Sequence, residues 1–147
     1  MRAPLAPLLF SDKFYLLCHR NHPLAQLETV DLADIGDYPF IGFSPGTSIR
    51  QYTDRLCEMM GEGFNYQQQV RQLTTMMGLI AANYGVSITT GLTLFQFRHK
   101  DIVIIPFRDL ALERAIYLVT MKGRHLSSCA DEFINFIVQQ AQNFQPC

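Results

Sequence analysis

The sequence predicts an α/β protein with a mostly parallel sheet. Short apolar runs alternate along the chain with segments of helical periodicity, an order that is typical of βαβ units. Some of these runs, such as Tyr38–Phe43, are apolar at nearly every position, which indicates strands that are covered on both faces. The composition agrees, because 48% of the 147 residues are hydrophobic and 17% are charged, as in globular proteins.

Six strands are predicted from apolar runs that end at turn residues such as Asn21-His22-Pro23 and Ser44-Pro45-Gly46. The predicted strands are Phe14–His19, Tyr38–Phe43, Phe64–Val70, Val86–Thr89, Ile102–Phe107 and Arg114–Met121. A helical turn is expected over Asp31–Ile35 and a helical segment over Leu92–Phe97. These elements leave room for three longer helices.

The three longer helices are placed by apolar spacing and by residues that begin or end helices. The first runs from about Ser48 to Met60, the second from Thr74 or Thr75 to about Tyr84, and the third follows Ser127 or Ser128. Gly61 is expected to end the first and Gly85 the second.

Charge, cysteines and histidines exclude several classes of function. The formal net charge is -1 and the basic residues are scattered, so the dense basic surface that nucleic-acid binding requires is absent. Apolar runs are too short to span a membrane. The four cysteines form no C-x-x-C pair and the four histidines include no i,i+4 pair, so we expect reduced thiols, a cytoplasmic protein, no metal and no cofactor.

Several segments, in the order in which they occur, resemble the effector-binding (LysR substrate-binding) domain of LysR-type transcriptional regulators. They are Phe14–Cys18, His22–Ala25, Leu32–Asp34, Pro39–Ile41, Thr75–Ala82 with Tyr84–Ser87, Arg114–Val119 and Leu126–Ile137. The resemblance implies a type 2 periplasmic-binding-protein-like fold of two lobes joined by crossover strands.

On this pattern the chain divides into three parts. Residues 1–23 would hold a crossover strand and part of the first lobe, residues 24–106 the complete second lobe, and residues 107–147 the return crossover with the last strand and helix of the first lobe. The family's amino-terminal DNA-binding domain and the first half of lobe one have no counterpart here. The first lobe would therefore be partial, and Phe133 and Ile137 should be partly exposed or covered by another chain.

Three places along the chain carry the predicted ligand chemistry. The helix start that follows Phe43 offers Ser44, Gly46, Thr47 and Ser48, and free backbone N–H groups at a helix start attract anions. The next helix start offers Thr74 and Thr75, and a strand end offers Thr89. In a parallel sheet these ends would converge on one crevice. Ordinary helix capping is the alternative reading of the hydroxyl groups.

An enzyme motif also occurs, since Gly42–Gly46 reads G-x-S-x-G after a predicted strand, as at a hydrolase nucleophile elbow. The residue after the nucleophile must donate its N–H to the oxyanion, and Pro45 has none. We therefore expect no enzyme.

The expected function is the sensing of a small anionic effector of the carboxylate metabolite class in the cleft between the lobes. The resemblance further implies a homo-oligomer, dimer or tetramer, and DNA binding only through a domain that this chain lacks. A free-standing solute-binding or interaction protein of the same fold is the alternative.

Overall fold

The computed structural model describes residues 8–144. Within that range the chain forms seven strands, four α-helices and two short 3-10 helices. The strands are β1 (Leu8–Asp12), β2 (Phe14–His19), β3 (Pro39–Phe43), β4 (Asn65–Val70), β5 (Ser87–Thr90), β6 (Ile102–Pro106) and β7 (Arg114–Tyr117). The helices are α1 (Leu32–Ile35), α2 (Ser48–Met60), α3 (Leu73–Ala81) and α4 (Ser128–Asn143), and the 3-10 helices are Pro23–Gln26 and Gly91–Phe97.

The α/β class is confirmed, but the expectation of a mostly parallel sheet needs a correction. β3 and β4 pair in parallel, and Phe40 forms a parallel bridge to Val86 at the start of β5. β2 lies between β5 and β6 and is antiparallel to both, and β1 is antiparallel to β7. Strands β3 to β6 thus share one direction, and β2 produces the antiparallel pairs because it enters their sheet from the opposite end.

Two hydrophobic clusters cover the two faces of this sheet. β2 shows the alternation of a strand, because Leu16 and Cys18 belong to one cluster and Leu17 belongs to the other. The first cluster also holds Phe40, Leu56, Phe64, Val86, Ile88 and Ile105, and the second holds Ile41, Phe43, Met76, Ile80, Leu94 and Phe97. Residues 14–107 therefore contain the buried core, which we call the large unit.

The small unit consists of β1, β7 and α4, and its strand β1 was missed by the sequence reasoning. None of the residues of α4 is buried. Phe133 is 62% exposed and Ile137 is half-buried, which confirms the expected exposure of this face. β1 was missed because its partner β7 lies about a hundred residues away along the chain, beyond the reach of any local pattern.

Helix ends follow the predicted caps at α2 and α4 but not at α3. Thr47 accepts the N–H of Arg50, and Ser127 accepts the N–H of Ala130. Gly61 ends α2 in the left-handed conformation, as predicted. At α3 the residue before the first turn is Gln72, so Thr74 and Thr75 lie inside the helix rather than at its cap.

The carboxyl end of α3 also differs from the prediction. The helix ends at Ala81, and Asn83 rather than Gly85 adopts a positive φ, of 60°. Gly85 has another purpose, since a Cβ placed there would stand 2.5 Å from the carbonyl oxygen of Pro39. The glycine is thus required by the close approach of two backbones.

Candidate functional site

The carboxyl ends of β3, β4 and β5 lie along one edge of the sheet, which we call the carboxyl edge. Phe43 and Val70, the last residues of β3 and β4, are register partners. The N–H of Ser44 donates to the carbonyl oxygen of Val70 over 2.8 Å. Because the two chain turns that follow these strands begin side by side, helices α2 and α3 both start at this edge, as the sequence predicted.

The start of α2 presents exposed and half-buried hydroxyl groups. Ser48 and Gly46 are exposed, Ser44 and Thr47 are half-buried, and Phe43 is buried. The N–H of Thr47 donates to the carbonyl of Ser44 over 3.3 Å. The expectation that this amide is free to bind a ligand is therefore wrong, because the turn uses it in its own hydrogen bond.

The start of α3 is more open than that of α2. No side chain caps this helix, and the amide hydrogens of a first helical turn have no partner within the helix. Thr74 and Thr75 are exposed in that turn. An anion placed here would meet unpaired N–H groups, two hydroxyl groups and the positive end of the helix dipole.

Arg50 fixes the turn after β3 and was not singled out from the sequence. Its Nη1 donates to the carbonyl oxygen of Phe43 over 2.9 Å, and its Nε donates to Asp54 over 2.8 Å. Its guanidinium lies 4.5 Å from the centre of the Tyr66 ring, within cation–π range. The hydrogen bond that Arg50 donates to Asp54 raises the pKa of Arg50 above its ordinary value. The arginine thus holds the carboxyl end of β3 in place.

Thr89 lies on β5 but is fully buried, and its hydroxyl pairs with that of Thr93. The same strand end meets an ion pair that the sequence did not reveal. Nη2 of Arg114 lies 3.1 Å from Oδ2 of Asp12 and 3.0 Å from the hydroxyl oxygen of Thr90. No sequence signal joins Asp12 to Arg114, because their contact depends on the non-local pairing of β1 with β7.

The comparison with known families decides the identity of this fold. The family model described as LysR substrate binding domain matches residues 6–142. The chain belongs to the LysR substrate-binding domain family. Among curated relatives, the transcriptional dual regulator GltC of Bacillus subtilis is 29% identical over 132 residues, which cover 90% of this chain and 44% of GltC.

Solved structures of LysR effector-binding domains share this fold. The effector-binding domain of QuiR in complex with shikimate is 25% identical, with a TM-score of 0.79, and the match covers 94% of this chain and 65% of that one. The regulatory domain of CcmR from Synechocystis PCC6803, in complex with 2-PG, has a TM-score of 0.81 at 18% identity, over 95% of this chain and 67% of that one. The chain therefore spans less than half of GltC and about two thirds of these domains.

The hydrolase motif of this LysR substrate-binding domain lacks the oxyanion donor expected directly after the nucleophile. The N–H of Ser44 is bonded to Val70, and Pro45 has no N–H. The curated relatives are transcriptional regulators, which is the function class that the sequence favoured over an enzyme.

Two surface hollows lie outside the predicted ligand residues. One, of about 360 Å³, is lined by Lys13–Tyr15, Pro106–Leu110, Leu112 and Glu113. Because Phe14 pairs with Thr90 and Tyr15 with Pro106, this hollow adjoins the carboxyl edge on the far side of β2. The other, of about 250 Å³, lies between residues 30–32, Met59, Met60 and residues 107–111.

Three further observations concern metal ligands, membrane-spanning helices and a buried thiol in the part of the domain that the structure describes. Across residues 8–144, no three His, Cys, Asp or Glu side chains are grouped to hold a metal ion. Over the same residues no helix has the length and apolar character needed to cross a bilayer. Burial raises the pKa of the Cys18 thiol to about 11, which keeps this sulfur protonated and unreactive.

Proposed function

We propose that this chain is the carboxylate-sensing part of a LysR-type transcriptional regulator. The observation that carries the proposal is the uncapped start of α3, where Thr74 and Thr75 are exposed. It lies beside the start of α2, since β3 and β4 are parallel neighbours. Two helix starts at one edge favour a negatively charged ligand.

The proposed ligand contacts are the exposed groups of this edge. Ser48, Thr74 and Thr75 would donate hydroxyl hydrogen bonds, with Ser44, Gly46 and Thr47 lining the turn and Phe43 forming the apolar floor beneath. Thr89 is proposed to act through its hydroxyl contact with Thr93, because its own side chain is fully buried. Shikimate, in the complex of the QuiR domain, carries a carboxylate, which supports this ligand class.

The division into lobes enters the same proposal. Residues 24–106 would form one complete lobe, and residues 1–23 and 107–147 would form the crossovers and part of the other. A ligand held between the lobes would shift the balance between two lobe arrangements. DNA binding would come from a domain outside this chain, in a cytoplasmic homo-oligomer without catalytic activity, as expected of a relative of transcriptional regulators such as GltC.

The proposal is tested by calorimetry with small carboxylic acids, each paired with its neutral amide. We expect the acids to bind and to raise the melting temperature, and the amides to bind much more weakly. Thr75→Val should weaken binding of the best acid by about 1 kcal/mol or more, because one hydrogen bond to a charged group is lost. The exposed Thr120→Val, in the loop after β7, is the matched control. Equal binding of acids and amides would contradict the proposal.

A further inference from the structure

A buried ion pair lies at the contact between the small unit and the large unit. Asp12 is the last residue of β1 and Arg114 is the first residue of β7, and the two are register partners. Only Lys13 separates Asp12 from β2. The pair, which we call the junction pair, therefore stands where both chain passages leave the small unit.

The two residues of the junction pair bond to each other and also to residues at the end of β5. The N–H of Leu92 lies 3.2 Å from each carboxylate oxygen of Asp12. Arg114 donates to the hydroxyl of Thr90 over 3.0 Å. The N–H of Gly91 donates to the carbonyl of Lys13 over 3.0 Å. All these contacts converge on the three residues that follow Thr89, at the carboxyl edge.

Both side chains of the junction pair are shielded from solvent. The Asp12 side chain has no exposed surface and the Arg114 side chain is 15% exposed. A buried charge needs its partner, because removal of either one leaves the other charge without water or a counter-charge. By contrast, the pair between Arg108 and Asp31 at 3.4 Å is about half exposed on both sides, and such pairs contribute little.

We propose that Asp12 and Arg114 are positioning residues that set the angle of the β1–β7–α4 unit against the carboxyl edge. Asp12 and Arg114 lie at the ends of the paired strands β1 and β7, and they bond to Leu92 and Thr90 at the end of β5. A displacement of Thr90 or Leu92 would therefore turn the small unit as a body. The consequence for sensing rests on the proposed function: a ligand at the edge would be read out through this pair. The mechanical role itself requires no ligand.

The test measures the distance between the two units in the absence of ligand. Spin labels are attached to Glu58→Cys on α2 and to the native Cys129 on α4, both exposed positions. Cys57→Ser and Cys147→Ser remove the competing thiols, and Cys18 is buried with its pKa raised to about 11. Pulsed electron resonance then gives the distribution of distances between the units.

We expect a narrow distribution in this labelled background and an approximately twofold broader one after Asp12→Asn, since the hinge loses its charge pair while the side-chain shape is kept. Asp31→Asn, the exposed control, should leave the distribution unchanged. An Asp12→Asn protein that melts at a lower temperature but keeps the narrow distribution would show a merely structural role and overturn the proposal.

Arg114→Lys is a second variant for the same distance measurement, to be used if Asp12→Asn does not fold. Lysine retains a charge for Asp12, but its shorter, flexible side chain lacks the planar guanidinium that holds Nη2 of Arg114 against both Asp12 and Thr90. It should broaden the distribution by a smaller amount and speed the hydrogen exchange of the Leu92 amide. An unchanged width with unchanged exchange at Leu92 would overturn the proposal. Because no ligand is used, the result is independent of the carboxylate experiment.

Discussion

His22 shows how one residue links a turn to the pH dependence of folding. Its Nδ1 accepts the N–H of Leu24 over 3.1 Å, and its ring packs edge-on against Tyr38 with centroids 4.6 Å apart. Burial, and secondly the nearby His19, lower the pKa of His22 below its ordinary value of 6.5. The turn therefore requires the neutral imidazole, since a protonated Nδ1 cannot accept a hydrogen bond.

The sign of the pH effect follows from this lowered pKa. Between the folded pKa and 6.5 the unfolded state binds more protons, so stability rises with pH in that window. The contribution of His22 is present above 6.5 and is lost as the pH falls toward the folded pKa. In urea unfolding from pH 8 to pH 5, we expect His22→Asn to show a flatter profile, because asparagine binds no proton in this range. Its side-chain oxygen can still accept the N–H of Leu24.

A histidine control separates this effect from a general loss of charge. His125→Asn changes an exposed histidine in the loop before α4 and should leave the slope of stability against pH as in the wild type. A His22→Asn profile as steep as the wild-type profile would show that His22 does not cause this pH dependence.

Individual residues differ in how far the sequence could predict them. Thr47 and Ser127 were found because a cap acts on residues three positions away, within a local pattern. Arg50 was missed because its partners Phe43 and Tyr66 are joined only by folding. The Asp12–Arg114 pair was missed for the same reason, at a greater separation.

At the scale of elements, Gly85 controls how closely β5 approaches β3. A Cβ at this position would stand 2.5 Å from the Pro39 oxygen and 3.1 Å from its carbonyl carbon. Backbone atoms cannot move aside without breaking the parallel bridge between Phe40 and Val86. We expect Gly85→Ala to lower the free energy of unfolding by about 1–3 kcal/mol or more, measured by urea denaturation.

Gly78 supplies the matched control for this prediction. It lies inside α3, is exposed, and a Cβ there would meet no atom within 4 Å. Gly78→Ala should therefore raise stability by about 0.5–1 kcal/mol, since alanine loses less entropy in a helix. If both substitutions stabilise the protein by similar amounts, the close approach at Gly85 is not a constraint.

The same elements explain which parts of the fold the sequence could predict. α2 and α4 were predicted well because a hydroxyl cap and an apolar stripe agree within each helix. The start of α3 was misplaced because no side chain caps it; its position follows from the end of β4. The antiparallel direction of β2 was not predicted, since the direction of a strand relative to its neighbours depends on which long-range pairs form.

At the scale of the whole molecule, the two units differ in how much they bury. The clusters that hold the buried apolar residues come from the large unit, and α4 has no buried residue. Phe133 and Phe136 are 62% and 58% exposed, and Tyr117 on β7 is 56% exposed. Exposed aromatic side chains that form a contiguous patch typically mark an interaction surface.

Uneven burial predicts uneven stability within the chain as it stands. Local opening requires little free energy where few apolar contacts are lost. By hydrogen exchange we expect the amides of α4 to exchange through local opening, many-fold faster than those of β2, whose Leu16, Leu17 and Cys18 are fully buried.

Ser127→Ala removes the cap of α4, since the Ser127 hydroxyl accepts the N–H of Ala130 at 3.2 Å. It should speed exchange in α4, at a cost of about 1 kcal/mol to that helix, and leave β2 unchanged. Exchange of α4 and β2 at one common rate, shifted together by Ser127→Ala, would instead mean that the small unit folds as one body with the core.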